Sequence, residues 1–153
     1  MKSEAGARSA IATCSVARQV FVGDDDLSGL IFFDTYRRWM SEGDQQLFTQ
    51  QGHPVWEDLS AGFGAPVVRS ELDCHAPARS GDLMEQEIVL HAAGRSSFST
   101  THRFTCRGSV VATGKNIRVW VDLATMTPCP APDWTRLRSD DPDPSSTDVR
   151  FIE

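Results

Sequence analysis

The sequence lacks any run of apolar residues long enough to cross a bilayer, which takes about 20 of them. It also lacks the excess of basic residues with which nucleic-acid-binding proteins neutralise phosphates. Its first 19 residues contain no continuous apolar segment of the kind found in secretory signal peptides. We therefore expect a cytoplasmic protein that binds neither membranes nor nucleic acids.

Closely spaced cysteine pairs are also missing. The four cysteines stand far apart along the chain, at Cys14, Cys74, Cys106 and Cys129. Structural zinc sites usually contain close cysteine pairs, and disulfide frameworks belong mostly to exported proteins, so we expect free thiols and no metal. The chain has no G-x-S-x-G segment and no glycine-rich phosphate loop, so Ser-His-Asp hydrolysis has no support.

Length and charge indicate one domain with an acidic end. A chain of 153 residues can bury one sizeable core but not two. The formal net charge is −6, and residues 139–153 supply most of it, with five acidic residues against one arginine. The other 138 residues hold 16 acidic and 14 basic residues. We divide the chain into an N-terminal extension (1–17), one domain (18–138) and a mobile acidic tail (139–153).

One long helix is predicted over residues 33–51. Its residues Tyr36, Met40, Gly43 and Leu47 recur at spacings of four, three and four, which places them on one helical face. Glycine inside a helix costs roughly 1 kcal/mol relative to alanine. The missing side chain would let the helix lie close to a flat surface such as a sheet.

The remaining pattern predicts strands. Residues 18–24 are interpreted as a short strand before the helix. After the helix, apolar residues recur with a period of two in segments rich in Thr, Val, Phe and Ile. These segments are residues 67–76, 82–93, 96–106 and 109–123. Residues 130–137 are interpreted as a last short helix. The order indicates an α+β fold, an antiparallel sheet with a single helix packed on one face.

Residues 22–39, VGDDDLSGLIFFDTYRRW, place three aspartates directly before a small-residue turn and the aromatic start of the helix. The residues that define the pattern are, in order, Asp26, Gly29, Phe32-Phe33, Tyr36 and Arg38-Trp39. This set resembles the hotdog-fold acyl-CoA thioesterases of the 4-hydroxybenzoyl-CoA thioesterase type, in which an antiparallel sheet wraps around one central helix. The segments HAPARSGD and GRSSF extend the resemblance, which covers residues 18–132.

The resemblance implies that Asp26 is the catalytic carboxylate, acting as nucleophile or as general base on a thioester carbonyl. It implies that the backbone amide of Phe33 stabilises the oxyanion and that Gly29 supplies the turn between them. Phe32 and Tyr36 would wall the acyl pocket. The phosphates of coenzyme A would be bound by Arg95, Ser96 and Ser97. No cofactor is implied, because coenzyme A is part of the substrate.

Several points stay open. Phe33 stands where many relatives have tyrosine, and the pocket suits an aromatic or a short to medium aliphatic acyl group. Two alternatives are hydrolysis of acyl groups held on acyl carrier protein, and a hotdog module that binds acyl-CoA without hydrolysis.

Asp24 and Asp25 are interpreted as surface or turn residues. Like charges this close are expected to raise the pKa of one of the three aspartates. His75 and His102 are interpreted as structural histidines.

The resemblance further implies an assembly. Two subunits would pair their sheets and form the active sites at their interface, as a dimer or a dimer of dimers. A single helix covers only one face of a sheet, so the other face or an edge needs a partner.

Overall fold

The computed structural model describes residues 10–137. Its helices are α1 (Phe33–Gln50) and α2 (Val55–Ser60), with a 3-10 turn at Asp133–Thr135. Its strands are β1 (Ala10–Gln19), β2 (Phe63–Gly64), β3 (Val67–Cys74), β4 (Leu83–Ala92), β5 (Ser97–Cys106), β6 (Ser109–Val119), β7 (Val121–Asp122) and β8 (Thr127–Pro128). A five-stranded antiparallel sheet has the order β1-β4-β5-β6-β3, and a small sheet has the order β2-β7-β8. Between residues 10 and 137, no helix has the length and apolar character needed to span a bilayer.

Helix α1 confirms the predicted helix and its buried stripe. Tyr36, Met40 and Leu47 are buried against the five-stranded sheet. Gly43 marks a close approach to the sheet, because a Cβ atom there would lie 3.1 Å from Cγ1 of Ile88 and closer still to the side-chain amide of Gln86. A larger residue at this position would push the helix away from β4.

The two faces of the sheet differ in polarity. On β4, alternate residues are buried on the helix side, namely Met84, Gln86, Ile88 and Leu90. The opposite face carries rows of mostly polar side chains at paired positions, such as Ser15, Glu87, Arg103 and Thr113. An antiparallel sheet can leave such a polar face in water. This face therefore does not require a covering partner, and the edge strands of the described sheet are β1 and β3.

The core beneath α1 consists of two apolar halves. The half near the start of α1 includes Tyr36, Trp39, Met40, Met84 and Phe104. The half near its end includes Leu47, Phe48, Ile88, Leu90 and Phe98. Buried polar side chains lie between the halves, and we call them the polar layer: Asp44, Gln86, Thr100, His102, Asn116 and Arg118.

Asp44 of α1 is the centre of the polar layer, and its carboxylate is fully buried. Nε2 of His102 donates to Oδ1 over 2.9 Å. Nδ2 of Asn116 and Nε of Arg118 donate to Oδ2 over 3.0 and 2.8 Å. Because a buried carboxylate is tolerated only among such donors, these contacts from β5 and β6 hold α1 in one position on the sheet.

The hydrogen bonds assign a neutral tautomer to His102. Its Nδ1 accepts a hydrogen bond from Nε2 of Gln86 over 3.0 Å, so the ring proton is on Nε2, facing Asp44. Burial opposes ionisation of the Asp44 carboxyl. The hydrogen bond from His102 and the charge of Arg118 outweigh burial, so the pKa of Asp44 lies below its ordinary value. His102 is thus a structural histidine, as predicted.

One predicted strand needs correction, one helix was not predicted, and one predicted segment lies outside the described residues. The strand predicted over residues 18–24 is wrong, since the strand is Ala10–Gln19, and all but its last two residues lie in the segment interpreted as an N-terminal extension (1–17). Its Ala, Ser and Thr residues give little periodic hydrophobic signal, yet it pairs with β4 along nearly its full length. The connection after α1 contains the unpredicted helix α2. The acidic tail (139–153) lies outside the described residues, and its boundary stays a prediction.

We expect Asp44→Ala to lower the free energy of unfolding by about 3–5 kcal/mol, because it leaves Arg118 buried without its counter-charge. Glu85, exposed on β4, provides a control. Glu85→Ala should change the free energy of unfolding by about 0.5 kcal/mol or less. Urea denaturation followed by tryptophan fluorescence measures both variants. An equal loss of unfolding free energy in Asp44→Ala and Glu85→Ala would contradict the role assigned to the polar layer.

Acid unfolding should depend on the same carboxyl. The folded pKa of Asp44 is lower than its unfolded value, so its contribution to stability is fully present above the unfolded pKa of about 3.9. That contribution is lost as the pH falls through the lower folded pKa. Urea midpoints measured at decreasing pH should therefore fall less steeply for Asp44→Ala than for the wild type. A parallel decline in both proteins would argue against a depressed pKa at Asp44.

Candidate functional site

A hairpin-like loop joins β1 to α1 and carries the three aspartates. The backbone N–H of Phe32 donates to the carbonyl of Asp24 over 2.7 Å, and that of Asp26 to the carbonyl of Leu30 over 2.8 Å. At the tip, the N–H of Gly29 donates to the carbonyl of Asp26 over 3.0 Å. Gly29 has a φ of +79°, a conformation that favours glycine. The turn predicted at Gly29 is therefore present.

Asp26 lies exposed near the tip of this loop. Its Oδ1 accepts hydrogen bonds from the hydroxyl of Ser28 and from the backbone N–H of Ser28, the latter over 2.7 Å. These bonds, the hydroxyl bond first, hold the pKa of the Asp26 carboxyl below its ordinary value. The rise in pKa that was expected for one of the three aspartates from its neighbouring charges therefore does not occur at Asp26. Within the described residues Oδ2 accepts no hydrogen bond, so an ionised oxygen is left facing solvent.

The start of α1 leaves backbone donors free. Phe32, the N-cap residue, is extended and gives no side-chain hydrogen bond to the first turn. The N–H of Phe33 has no acceptor within the part of the chain that the structure describes. Free first-turn amides and the positive end of the helix dipole favour an anion or a developing oxyanion. The ring of Phe33 is half exposed, and the guanidinium of Arg37 lies over it, 4.7 Å from its centroid.

A groove of about 780 Å³ contains Asp26. Its apolar walls are the side chains of Val22, Leu27 and Phe32. Phe32 therefore lies beside Asp26, in the place where an acyl-pocket wall was predicted. Val22 and Leu27 were not predicted as pocket residues. Apolar residues in an aspartate-rich turn are nevertheless a sequence signal for such a wall. The exposed fractions of Val22 and Leu27, 88% and 109%, mark an apolar surface that the described residues leave uncovered.

Tyr36 does not line this groove. It lies in a second pocket of about 460 Å³, together with Leu30, Ile31 and residues 74–78. Its ring packs edge-on against Phe104, with a centroid separation of 5.1 Å. The structure thus brings Tyr36 and Phe32 to two different pockets.

Arg95, Ser96 and Ser97 lie far from Asp26 in the same chain. They precede β5 or begin it, whereas the Asp26 loop lies at the other end of the sheet, where Val20 bonds to Asp82 next to the start of β4. The ten residues of β5 span about 30 Å. The hydroxyl of Ser97 accepts a bond from the N–H of Gly94 over 2.8 Å. One chain therefore does not bring the predicted coenzyme A residues to the predicted catalytic residue.

Among residues 10–137 there is no group of three or more His, Cys, Asp and Glu side chains able to hold a metal ion. The described thiols are unpaired, and Cys74 is exposed while Cys14 and Cys106 are buried.

Residues 20–138 match the model of a family described as the thioesterase-like superfamily. The chain is 26% identical over 95 residues to a 1,4-dihydroxy-2-naphthoyl-CoA hydrolase of Synechocystis sp.. It is 25% identical over 91 residues to a 4-hydroxybenzoyl-CoA thioesterase of Pseudomonas sp.. The two matches cover 61% and 58% of this chain, and the chain spans 64% of the length of each relative.

The fold is also found in solved structures. The crystal structure of a 1,4-dihydroxy-2-naphthoyl-CoA thioesterase from Synechocystis matches with a TM-score of 0.76 at 21% sequence identity. The match covers 80% of this chain and 92% of that one. The predicted fold, an antiparallel sheet with one long helix packed against it, is thereby confirmed.

Ser28→Ala should raise the pKa of the Asp26 carboxyl toward its ordinary value, because the hydroxyl bond is the largest cause of the lowered pKa. Titration of ¹³C-labelled aspartate side chains by NMR measures this shift. Ser60→Ala, which removes a hydroxyl bonded to the carbonyl of Trp56, is a matched control that should leave Asp26 unchanged. An unchanged titration of Asp26 in Ser28→Ala would show that the hydroxyl bond does not form in solution.

Proposed function

Because the chain belongs to the thioesterase-like superfamily and has the hotdog fold, we propose that it hydrolyses the thioester of an acyl-CoA to a free acid and coenzyme A. The acyl group is aromatic or a short to medium aliphatic chain. The aromatic acyl groups in the names of the sequence relatives support the first of these.

The observation that carries this proposal is that one loop and the helix start that follows it hold an exposed, ionised Asp26 and the N–H of Phe33, which has no acceptor among residues 10–137. A carboxylate supplies the electron pair or accepts the proton that thioester hydrolysis requires. The helix start supplies donors for the negative charge that develops on the carbonyl oxygen. Hydrogen bonds across the loop keep these two groups on one compact unit.

Asp26 acts in one of two ways. As a nucleophile, its oxygen bonds to the thioester carbon, the C–S bond breaks and the thiolate of coenzyme A leaves. Water then hydrolyses the mixed anhydride that remains. As a general base, Asp26 takes a proton from a water molecule whose oxygen attacks the same carbon. Both routes consume one water and release the acid and coenzyme A.

The proposed substrate carries coenzyme A and not acyl carrier protein. The side chain of Arg95 is exposed and makes no ion pair within residues 10–137. A guanidinium that has no carboxylate partner is suited to a phosphate group. The unpaired thiols of the described chain are compatible with the reducing cytoplasm, which we propose as the location.

The complete site is proposed to need two subunits, because Arg95 and Asp26 lie at opposite ends of one sheet. β3 is an edge strand, and six of its eight residues are exposed, among them Val67 and Val68. Antiparallel pairing of two β3 strands about a twofold axis turns one sheet end for end relative to the other. The Arg95 end of the partner then lies on the same side as the Asp26 loop. Such a dimer also removes an unpaired sheet edge.

Thiol release from a panel of aromatic and aliphatic acyl-CoAs tests the proposed reaction. The wild type should turn over at least one of them, and Asp26→Asn should reduce kcat/KM by about 10²–10⁴-fold. Asp25→Asn is the matched control and should keep most of the activity, since within residues 10–137 its side chain bonds only to the N–H of Gly23. Undiminished turnover in a folded Asp26→Asn variant would refute the assignment of the catalytic acid.

Val68→Lys should weaken the dimer by placing a charge on the proposed β3 interface. Val68 is 60% exposed. Leu83 on the uncovered sheet face is 63% exposed, which makes Leu83→Lys a matched control. Sedimentation velocity should show smaller particles for Val68→Lys alone, with activity falling in parallel because the site is incomplete in one chain. A monomeric wild type with full activity would refute the shared site.

A further inference from the structure

We propose that Asp24 is a positioning residue that fixes the loop carrying Asp26 onto the first two turns of α1. The proposal rests on the thioesterase function above, because it concerns the geometry from which Asp26 would act. The sequence interpretation of Asp24 as a surface or turn residue does not account for its contacts.

Asp24 forms hydrogen bonds to both sides of the loop and to the helix. Oδ2 accepts a bond from the N–H of Phe21 over 2.9 Å, and Oδ1 accepts one from Nη2 of Arg38 over 3.0 Å. The carbonyl of Asp24 accepts bonds from the N–H of Phe32 over 2.7 Å and from the hydroxyl of Thr35 over 3.0 Å. Only 16% of the Asp24 side chain is exposed. One residue therefore joins the incoming chain, the returning chain and α1.

Arg38 links Asp24 to residues nearer the core through further side-chain contacts. Its Nη1 lies 3.5 Å from Oε1 of Glu42, and Oε2 of Glu42 accepts a bond from Nη1 of Arg18 over 3.0 Å. Nε of Arg18 donates to Oε1 of Gln86 over 2.8 Å. Gln86 belongs to the polar layer that holds α1 on the sheet. Side-chain contacts thus connect the loop to the part of the molecule that sets the position of the helix.

Asp25 differs from Asp24 although the two are adjacent. Its Oδ1 accepts a bond from the N–H of Gly23 over 3.1 Å, two residues earlier in the same loop. Within the described residues its side chain makes no contact of this kind with α1. The three aspartates are therefore not equivalent: Asp24 faces the helix, Asp25 stays in the turn and Asp26 lies at the solvent-facing tip.

Loss of the Asp24 contacts should affect the chemical step more than substrate binding. The loop would remain connected to β1 and α1, but the separation of the Asp26 carboxylate and the Phe33 amide would vary. A misplacement of about 1 Å can cost about 100-fold in rate. The effect should therefore fall on kcat while KM for the acyl-CoA changes little.

The test compares Asp24→Ala with Asp25→Ala in the full-length protein. We expect kcat to fall by about 10- to 100-fold in Asp24→Ala and to stay close to the wild-type value in Asp25→Ala. A second measurement follows the Asp26 carboxyl by ¹³C NMR titration. Removing a nearby negative charge would by itself lower the pKa of Asp26. A rise toward the ordinary value in Asp24→Ala alone therefore indicates that the loop has loosened and the Ser28 bonds are lost.

Equal kcat and equal Asp26 titration in the two variants would overturn the proposal. Arg38→Met removes the ion pair from the helix side and should lower kcat, as Asp24→Ala does. Melting temperatures identify a variant that fails to fold. In that case Asp24→Asn, which keeps an acceptor for the N–H of Phe21, replaces it. A wild type that hydrolyses no acyl-CoA would refute the thioesterase function, whereas the NMR titration would still decide whether Asp24 positions the loop.

Discussion

The buried carboxylate of Asp44 is the interaction on which the rest of the structure depends. Three donors from β5 and β6 surround it, and none of them can be lost without leaving a charge or a polar group unpaired in the core. Apolar contacts alone would let a helix slide or rotate on a sheet at small cost, because they are not directional. The polar layer removes that freedom, and Gly43 beside Asp44 allows the short distance that these bonds require.

A fixed helix determines where its first turn lies, and the candidate site is built on that turn. The N–H of Phe33 and the loop with Asp26 both take their positions from α1, directly or through Asp24 and Arg38. The buried charge of the polar layer and the exposed charge of the candidate site are thereby separated. Asp44 is buried and fully bonded, whereas Asp26 is exposed and keeps one oxygen free of hydrogen bonds within the described chain.

Much of this fold could be predicted from periodicity, and the failures have physical reasons. The long helix and the four later strands have strong apolar repeats, and their bounds lie within a few residues of the predicted ones. β1 was misplaced because its Ala, Ser and Thr residues show neither the helical nor the strand period clearly. Its pairing with β4 decides its structure. Asp44 directly follows Gly43 and is not one of the apolar residues of the stripe, and charged residues are usually exposed. Only its partners on distant strands show that it is buried.

The sequence by itself determined the α+β order, the family and the stretch that places Asp26, Gly29 and Phe33 close together, because these depend on neighbours close along the chain. Only the tertiary structure decided that Tyr36 and Phe32 belong to different pockets and that Arg95 lies about 30 Å from the Asp26 end of its own sheet. It also decided that the three aspartates have different environments. Such distances and contacts arise from the pairing of strands far apart in sequence, and local patterns carry no information about them.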